Sequence, residues 1–251
     1  MTYIEGFVIA VPTANRQAFI DHARRTDEVF LEYGAGRILE CWQQDVPRGK
    51  TTDFFGAVAA RDDENIVFSW IEWADKATYD ARLPKLHEAM ETDPRFDLAR
   101  NTVPFDGKRM IYGRFQPIVE RGRHVDASYV QGFVLPVPDG KREAYRQMAD
   151  DAWEVFRDHG ALRVLECWQD DVPEGKQTDF FRAVKTEPGE KVVFSLVEWP
   201  SQAVCDAAAE KMQSDERMQP PADQDLPFDP QRMIYGGFVP VVDMSGTPAG
   251  E

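Results

Sequence analysis

The chain is 251 residues long, 43% hydrophobic and 12% aromatic, and carries 29 Lys and Arg against 44 Asp and Glu, a formal net charge of −15. That composition supports a buried core and excludes a disordered chain, while the charge repels nucleic-acid phosphates and anionic headgroups, so neither nucleic acid nor a membrane is an expected partner. No apolar run reaches the roughly 18–20 residues of a membrane span; Met1–Pro12 lacks the basic start of a secretory signal, three cysteines make no disulfide framework, and a reduced, cytoplasmic location is expected.

Residues Tyr3–Val11 are β-branched and aromatic, stop at Pro12, and predict a strand. From Ala14 to Tyr33, Phe19, Ala23, Thr26, Phe30 and Tyr33 recur at helical spacing, with Thr13 as N-cap and Gly34 as the stop. Arg37–Val46 predicts the next strand and Pro47–Asp53 a turn-rich loop. Phe54–Ala60 and Ile66–Trp73 then predict a hairpin across Asp62, Asp63 and Glu64. Asp75 caps a second helix ending near Met90, and Arg109–Val119 closes the unit as a strand.

The whole unit is written twice. Tyr3–Pro12 returns as Tyr129–Pro138, and Glu40-Cys-Trp-Gln-Gln-Asp-Val-Pro47 returns as Glu166-Cys-Trp-Gln-Asp-Asp-Val-Pro173, both displaced by 126 residues. After Ala81 and Ala207 the second copy shortens, and Met110-Ile-Tyr-Gly113 aligns with Met233-Ile-Tyr-Gly236. A repeat this long is a domain, not a solenoid unit. The division expected is a first repeat over 1–119, a linker over 120–128, a second repeat over 129–243 and a flexible tail over 244–251. Residues 1–123 hold 17 basic and 20 acidic side chains and the remainder 12 and 24, so the excess acidity sits in the second half.

The element order predicts an α+β fold: two ferredoxin-like βαββαβ repeats, each with helices on one face of an antiparallel sheet. The two copies cover each other's open faces and make a pseudo-dimer within one chain. Further homo-oligomerisation through helical or edge surfaces stays open.

Glu40-Cys-Trp, Asp45-Val-Pro, Gly49-Lys50, Thr52-Asp53-Phe54, Phe68-Ser69, Glu72-Trp73 and Arg109-Met-Ile-Tyr-Gly113 resemble the YbaA-like bacterial domains of unknown function, of the dimeric α/β-barrel superfamily. The resemblance covers nearly the whole chain, twice. It implies an intramolecular dimeric α/β-barrel and carries over no reaction, because the wider superfamily spans cofactor-free monooxygenases, lactone isomerases, haem enzymes and proteins without known chemistry.

Glu40 and Trp42 lie two apart and share a strand face, with Cys41 opposite; Glu166, Cys167 and Trp168 repeat this. Phe68, Trp70 and Glu72 also share a face, and Glu198 is the copy of Glu72. Among aromatic rings a carboxylate loses hydration, which raises its pKa toward the range useful for proton transfer. Glu40, Glu72, Glu166 and Glu198 are therefore the candidate acid–base groups; the alternative is structural pairing with Arg37 or Arg109. The ligand pocket expected between sheet and helices is lined by Trp42, Phe68, Trp70 and Tyr112, with Trp168 and Tyr235 as counterparts. Lys50 and Asp53, repeated as Lys176 and Asp179, form either its rim, suited to an anionic ligand, or a capped hairpin connection without phosphate-loop spacing. Cys41 and Cys167 read as small apolar strand residues. His22, His87, His124 and His159 align with no other histidine and no metal-ligand pair occurs, so neither a metal nor a cofactor is expected.

The copies differ at Trp70/Leu196, Gly36/Leu162, Arg114/Gly237 and His22/Met148, which permits either specialisation of one pocket or neutral repacking. Three functions follow: a small-molecule pocket with cofactor-independent proton-transfer or oxygenase chemistry, a non-catalytic ligand-binding or stress-related protein, or a structural and interaction protein whose pocket is packed shut.

Overall fold

In the computed structural model, which describes residues 2–125, 127–218 and 225–246, the first repeat runs β1 (Tyr3–Pro12), α1 (Arg16–Glu32), β2 (Ala35–Asp45), α2 (Phe54–Ala57), β3 (Glu64–Trp73), α3 (Lys76–Thr92) and β4 (Ile111–Gly122). The second runs β5 (Tyr129–Pro138), α4 (Arg142–Asp158), β6 (Arg163–Asp171), α5 (Phe180–Ala183), β7 (Glu190–Trp199), α6 (Gln202–Met212) and β8 (Ile234–Ser245). Each repeat orders its strands β4-β1-β3-β2 or β8-β5-β7-β6, all antiparallel, the ferredoxin-like arrangement. The last strand of each repeat also pairs with the second strand of the other, β4 with β6 and β8 with β2. Eight strands thereby close into one barrel, which removes the sheet edges.

Period-two alternation assigns the faces. Ile4, Val8, Leu39, Cys41, Phe68 and Trp70 point inward and join Val130, Val134, Leu165, Cys167, Phe194 and Leu196 in a single interior cluster. At its centre Phe68 and Phe194 stack at 4.5 Å with 3° between their planes, flanked by Phe238 and Phe115. The outer faces are covered by helices; α1 buries Phe19, Ile20, Ala23 and Val29, and α4 buries Tyr145, Ala149, Trp153 and Val155.

Several boundaries differ from the sequence pattern. The predicted strand Phe54–Ala60 is the short helix α2, because both Phe54 and Phe55 are buried and a strand would send them to opposite faces. Phe54 instead plugs the barrel, edge-on to Phe68 and Phe238, and Phe180 on α5 meets Phe115 and Phe194 likewise. Thr13 does not cap α1; its hydroxyl turns away, 2.9 Å from Asp63 O and 2.6 Å from Asn65 Oδ1, and α1 starts after a 3-10 turn. Strand β4 continues into the predicted linker as far as Gly122, whose φ of +81° and closeness to Leu162 O exclude a side chain. Met244 and Ser245, in the predicted tail, pair with Ile38 and Arg37; residues 247–251 lie outside the described residues.

The ring stack is made possible by two glycines. A Cβ on Gly6 would come within 2.8 Å of Phe194, and one on Gly132 within 2.9 Å of Phe68. Gly132→Ala is therefore expected to cost about 1–3 kcal/mol in urea unfolding through overpacking. Gly140→Ala, where a Cβ meets nothing within 4 Å, should stay within about 0.5 kcal/mol of the parent.

Candidate functional site

Register separates the four candidate glutamates into two environments. Arg37 on β2 pairs with Glu72 on β3, both inward, whereas Glu40 pairs with Ser69, both outward. Glu40 and Glu72 therefore lie on opposite sides of the sheet and share no site. In the interior, Arg163 donates to both oxygens of Glu72 at 2.7 and 3.0 Å, and Arg37 to both oxygens of Glu198 at 2.9 and 3.4 Å. A further contact of 3.2 Å joins Arg163 to Glu198. Glu120 and Asp243 complete the ring on Arg163 and Arg37. Burial pushes the Glu72 carboxyl up, but the charge and hydrogen bonds of Arg163, with the Trp70 N–H and Arg37, outweigh it and hold the group below the usual carboxylate range. Glu72 and Glu198 are thus cross-repeat structural ion pairs instead of acid–base groups, because each faces the other repeat's arginine.

The outer pair is different. Glu40 accepts from the Ser69 hydroxyl and lies beneath α1, close to Asp27, and neither carboxyl forms an ion pair among the described residues. Desolvation raises Glu40 to about 7, and burial together with the Glu40 charge raises Asp27 well above its ordinary value. In the second repeat the Tyr145 hydroxyl donates to Glu166 at 2.7 Å. Desolvation again raises the carboxyl to about 7, against the hydrogen bonds from Tyr145 and Ser195. Sequence reasoning missed Asp27 and Tyr145, although the alignment already set them against Trp153 and Phe19.

The asymmetry extends across the outer layer. Repeat 1 holds Glu5, His22, Asp27, Tyr79 and Arg114 where repeat 2 holds Gln131, Met148, Trp153, Cys205 and Gly237. Burial raises Glu5, opposed by the Trp73 N–H at 3.0 Å and by Arg114. Burial and Arg25 lower His22. Buried polar atoms without a hydrogen-bond partner, among the described residues, are His22 Nδ1, Arg25 Nε, Asp27 Oδ2, Tyr79 Oη and Arg114 Nε, every one in repeat 1. Repeat 2 fills the equivalent space with uncharged side chains, Trp199 donating to Gln131 at 2.9 Å; a Cβ on Gly237 would strike the Tyr129 hydroxyl.

The predicted pocket of Trp42, Phe68, Trp70 and Tyr112 is not one place. Phe68 and Trp70 lie in the barrel core, while Trp42 and Trp168 are buried under the helices, each beneath an arginine, Arg16 or Arg142, at 5.6 Å. Lys50, Asp53 and Tyr235 do meet, in a cleft of about 470 Å³ between the repeats, and Lys176, Asp179 and Tyr112 meet in its counterpart of about 190 Å³. Asp53 is a cap, accepting from Gly49 N at 3.0 Å and Gly56 N at 2.7 Å, and Asp179 accepts from Gly175 N and Arg182 N in the same way. Cys41 and Cys167 face the barrel core, where burial pushes their thiols far up. Among the described residues no group of three or more His, Cys, Asp or Glu is placed to hold a metal ion, and no helix is long and apolar enough to cross a membrane.

Two ferredoxin-like repeats closed into an eight-stranded barrel with helices outside define the dimeric α/β-barrel class. The chain belongs to the family described as "Protein of unknown function (DUF1428)", whose model matches residues 2–107 and again 128–230. "Uncharacterized protein YbaA" of Escherichia coli (strain K12) is 55% identical over 115 residues, covering 46% of this chain and 97% of that protein; the protein of the same name in Shigella flexneri matches equally. Among solved structures, a "putative monooxygenase" from Lactobacillus acidophilus NCFM superposes with a TM-score of 0.55 at 11% identity, covering 97% of this chain and 96% of that one. An "anthrone oxidase-like protein" gives 0.54 at 11% identity, covering 100% and 97%. These likenesses are of fold.

The raised carboxyls set a pH dependence. Glu166 binds its proton more tightly folded than unfolded, so stability falls as pH rises from about 4.5 to about 7. The fall attributable to Glu166 is expected to reach roughly 3 kcal/mol at most. His22, with its lowered pKa, works in the opposite sense over part of this window, so the comparison is between variants. Glu166→Gln should lose most of that slope and exceed the parent in urea stability at pH 8; equal slopes would exclude the raised pKa.

Proposed function

We propose that this chain is a small-molecule-binding barrel whose working site is the outer layer of the first repeat, where the Asp27–Glu40 pair exchanges a proton with the ligand. The observation that carries this is that, among the described residues, the buried side-chain atoms without a hydrogen-bond partner all belong to the first repeat, His22 Nδ1, Arg25 Nε and Asp27 Oδ2 lying together on α1. Buried polar groups are nearly always satisfied, so a cluster that is not calls for a specific cause, and a bound molecule that completes the set is the one proposed. A carboxyl near pKa 7 beside a second raised carboxyl keeps an acid and a base available at neutral pH. The complement fits a phenol or an activated carbon acid, with Glu40 taking the proton and the protonated Asp27 carboxyl beside it as the acid. The resulting electron-rich anion can react with dioxygen without a cofactor. The fold-level company of a "putative monooxygenase" and an "anthrone oxidase-like protein" supports that chemistry as the class to test first.

Phe105 and Met110 close the layer over Ile9, Phe19 and Trp42, and Asn15 anchors their segment by donating to Pro104 O at 2.8 Å. The same closure favours the structural reading, in which Glu40 fills the layer as Glu166 does. Anthrone in D₂O distinguishes the two: proton exchange at its methylene is followed by NMR and oxygen uptake by electrode. The parent should accelerate exchange, Glu40→Gln should lose about 10²-fold or more, and Glu166→Gln should retain the parent rate. No acceleration, or equal loss in both variants, would overturn the assignment.

A further inference from the structure

The loops joining β2 to α2 and β6 to α5 form the two inter-repeat clefts, and these are not equal. Most of the lining is repeated residue for residue: Pro47, Gly49, Lys50 and Thr52 match Pro173, Gly175, Lys176 and Thr178, and Ile234 and Tyr235 match Ile111 and Tyr112. Two substitutions alter the charge, Arg48 in the first cleft against Glu174 in the second and Gln231 against Lys108, so each cleft carries two cations and only the second carries the Glu174 carboxylate. We infer that the larger cleft is a binding site for a small arylcarboxylate, and that the smaller one is not.

Lys50 is exposed and forms no ion pair or hydrogen bond among the described residues. Arg48 also lacks an ion-pair partner among the described residues; its guanidinium lies 3.8 Å from the Phe55 ring centroid, which holds the charge at the rim. Asp53, the acidic residue in the lining, has both oxygens turned into the loop as acceptors from Gly49 and Gly56. The loop's path is tightly determined, because a Cβ on Gly49 would overlap Thr52 O at 1.9 Å. Two cations therefore face a wall of Pro230, Met233 and Ile234. Tyr235, 49% exposed and stacked on Phe133 at 6.5 Å, offers an aromatic face. A negative head against Arg48 and Lys50 with an aromatic body along that wall matches this lining. At about 470 Å³ the space falls within the range of ligand sites, whereas the cleft carrying Glu174, at about 190 Å³, falls below it.

The second cleft is a built-in control. This site is independent of the Asp27–Glu40 pair, so either assignment can fail alone. The test titrates the ¹⁵N-labelled full chain with benzoate and with benzyl alcohol as its uncharged analogue, reading amide shifts at both clefts. Benzoate should move the amides of residues 49–53 and 234–235 saturably and leave those of 175–179 and 111–112 in place. Arg48→Glu should weaken benzoate at least about tenfold, and Glu174→Arg should create a response in the second cleft. Equal response of the two clefts, equal affinity for benzyl alcohol, an unchanged benzoate affinity in Arg48→Glu, or no saturable shift would each overturn the inference.

Discussion

The contact on which the molecule depends is the face-to-face stack of Phe68 and Phe194, two equivalent residues that meet where the repeats' symmetry axis crosses the barrel. Each ring is accommodated by the other repeat's glycine, Gly132 for Phe68 and Gly6 for Phe194. Phe115 of the first repeat packs against Phe180 and Phe194 of the second, and Phe54 packs against Phe238. Neither repeat owns a complete core. The cross-repeat ion pairs follow the same rule, since Arg37 serves Glu198 and Arg163 serves Glu72. Removing one partner of such a buried pair would strand a charge, which is why these pairs resist change even where their net stabilisation is small.

Shared burial explains where symmetry survives and where it breaks. Interior positions answer to both repeats at once, and Arg37/Arg163, Cys41/Cys167, Phe68/Phe194 and Glu72/Glu198 are identical. Interior differences are Ile4/Val130 and Ile66/Val192, each one methylene, and the larger Trp70/Leu196. Trp70 donates to Glu72 at 2.9 Å, and where Leu196 has no donor, His124 contacts Glu198 at 2.8 Å instead. Outer positions pack mainly under a single helix layer, and there Glu5, His22, Asp27, Tyr79 and Arg114 stand against Gln131, Met148, Trp153, Cys205 and Gly237 in the second repeat. Fusion of two copies relaxes the requirement that both outer layers do the same thing.

The duplication, the strand and helix order and the α+β class are legible in the residues because they rest on periodicity and on long identical segments. The short helix α2 is not legible, because Phe54-Phe55 obeys neither period: its burial depends on a barrel mouth that exists only after closure. Alternation within one strand correctly places Glu40 beside Trp42 and Glu72 beside Trp70, yet it is silent on which of those faces is interior. That depends on the β2–β3 register and on β8 crossing from the other repeat. The partner of Glu72 is 91 residues away in sequence. The difference at Asp27 and Trp153 was readable; its meaning needed Glu40 opposite it. The lopsided charge between halves finds its structural counterpart in ionisable groups concentrated, in the outer layer, in the less acidic repeat.

The central claim is that the first repeat's outer layer stores a proton on a carboxyl pair at neutral pH. Carboxyl ¹³C chemical shifts of Asp27 and Glu40, followed across pH in the full chain and assigned with Asp27→Asn and Glu40→Gln, test it directly. The account predicts coupled titration with Glu40 near pH 7, and a raised Asp27 midpoint that falls when Glu40 is neutralised. Independent titration of both carboxyls in the ordinary range near 4 would contradict it.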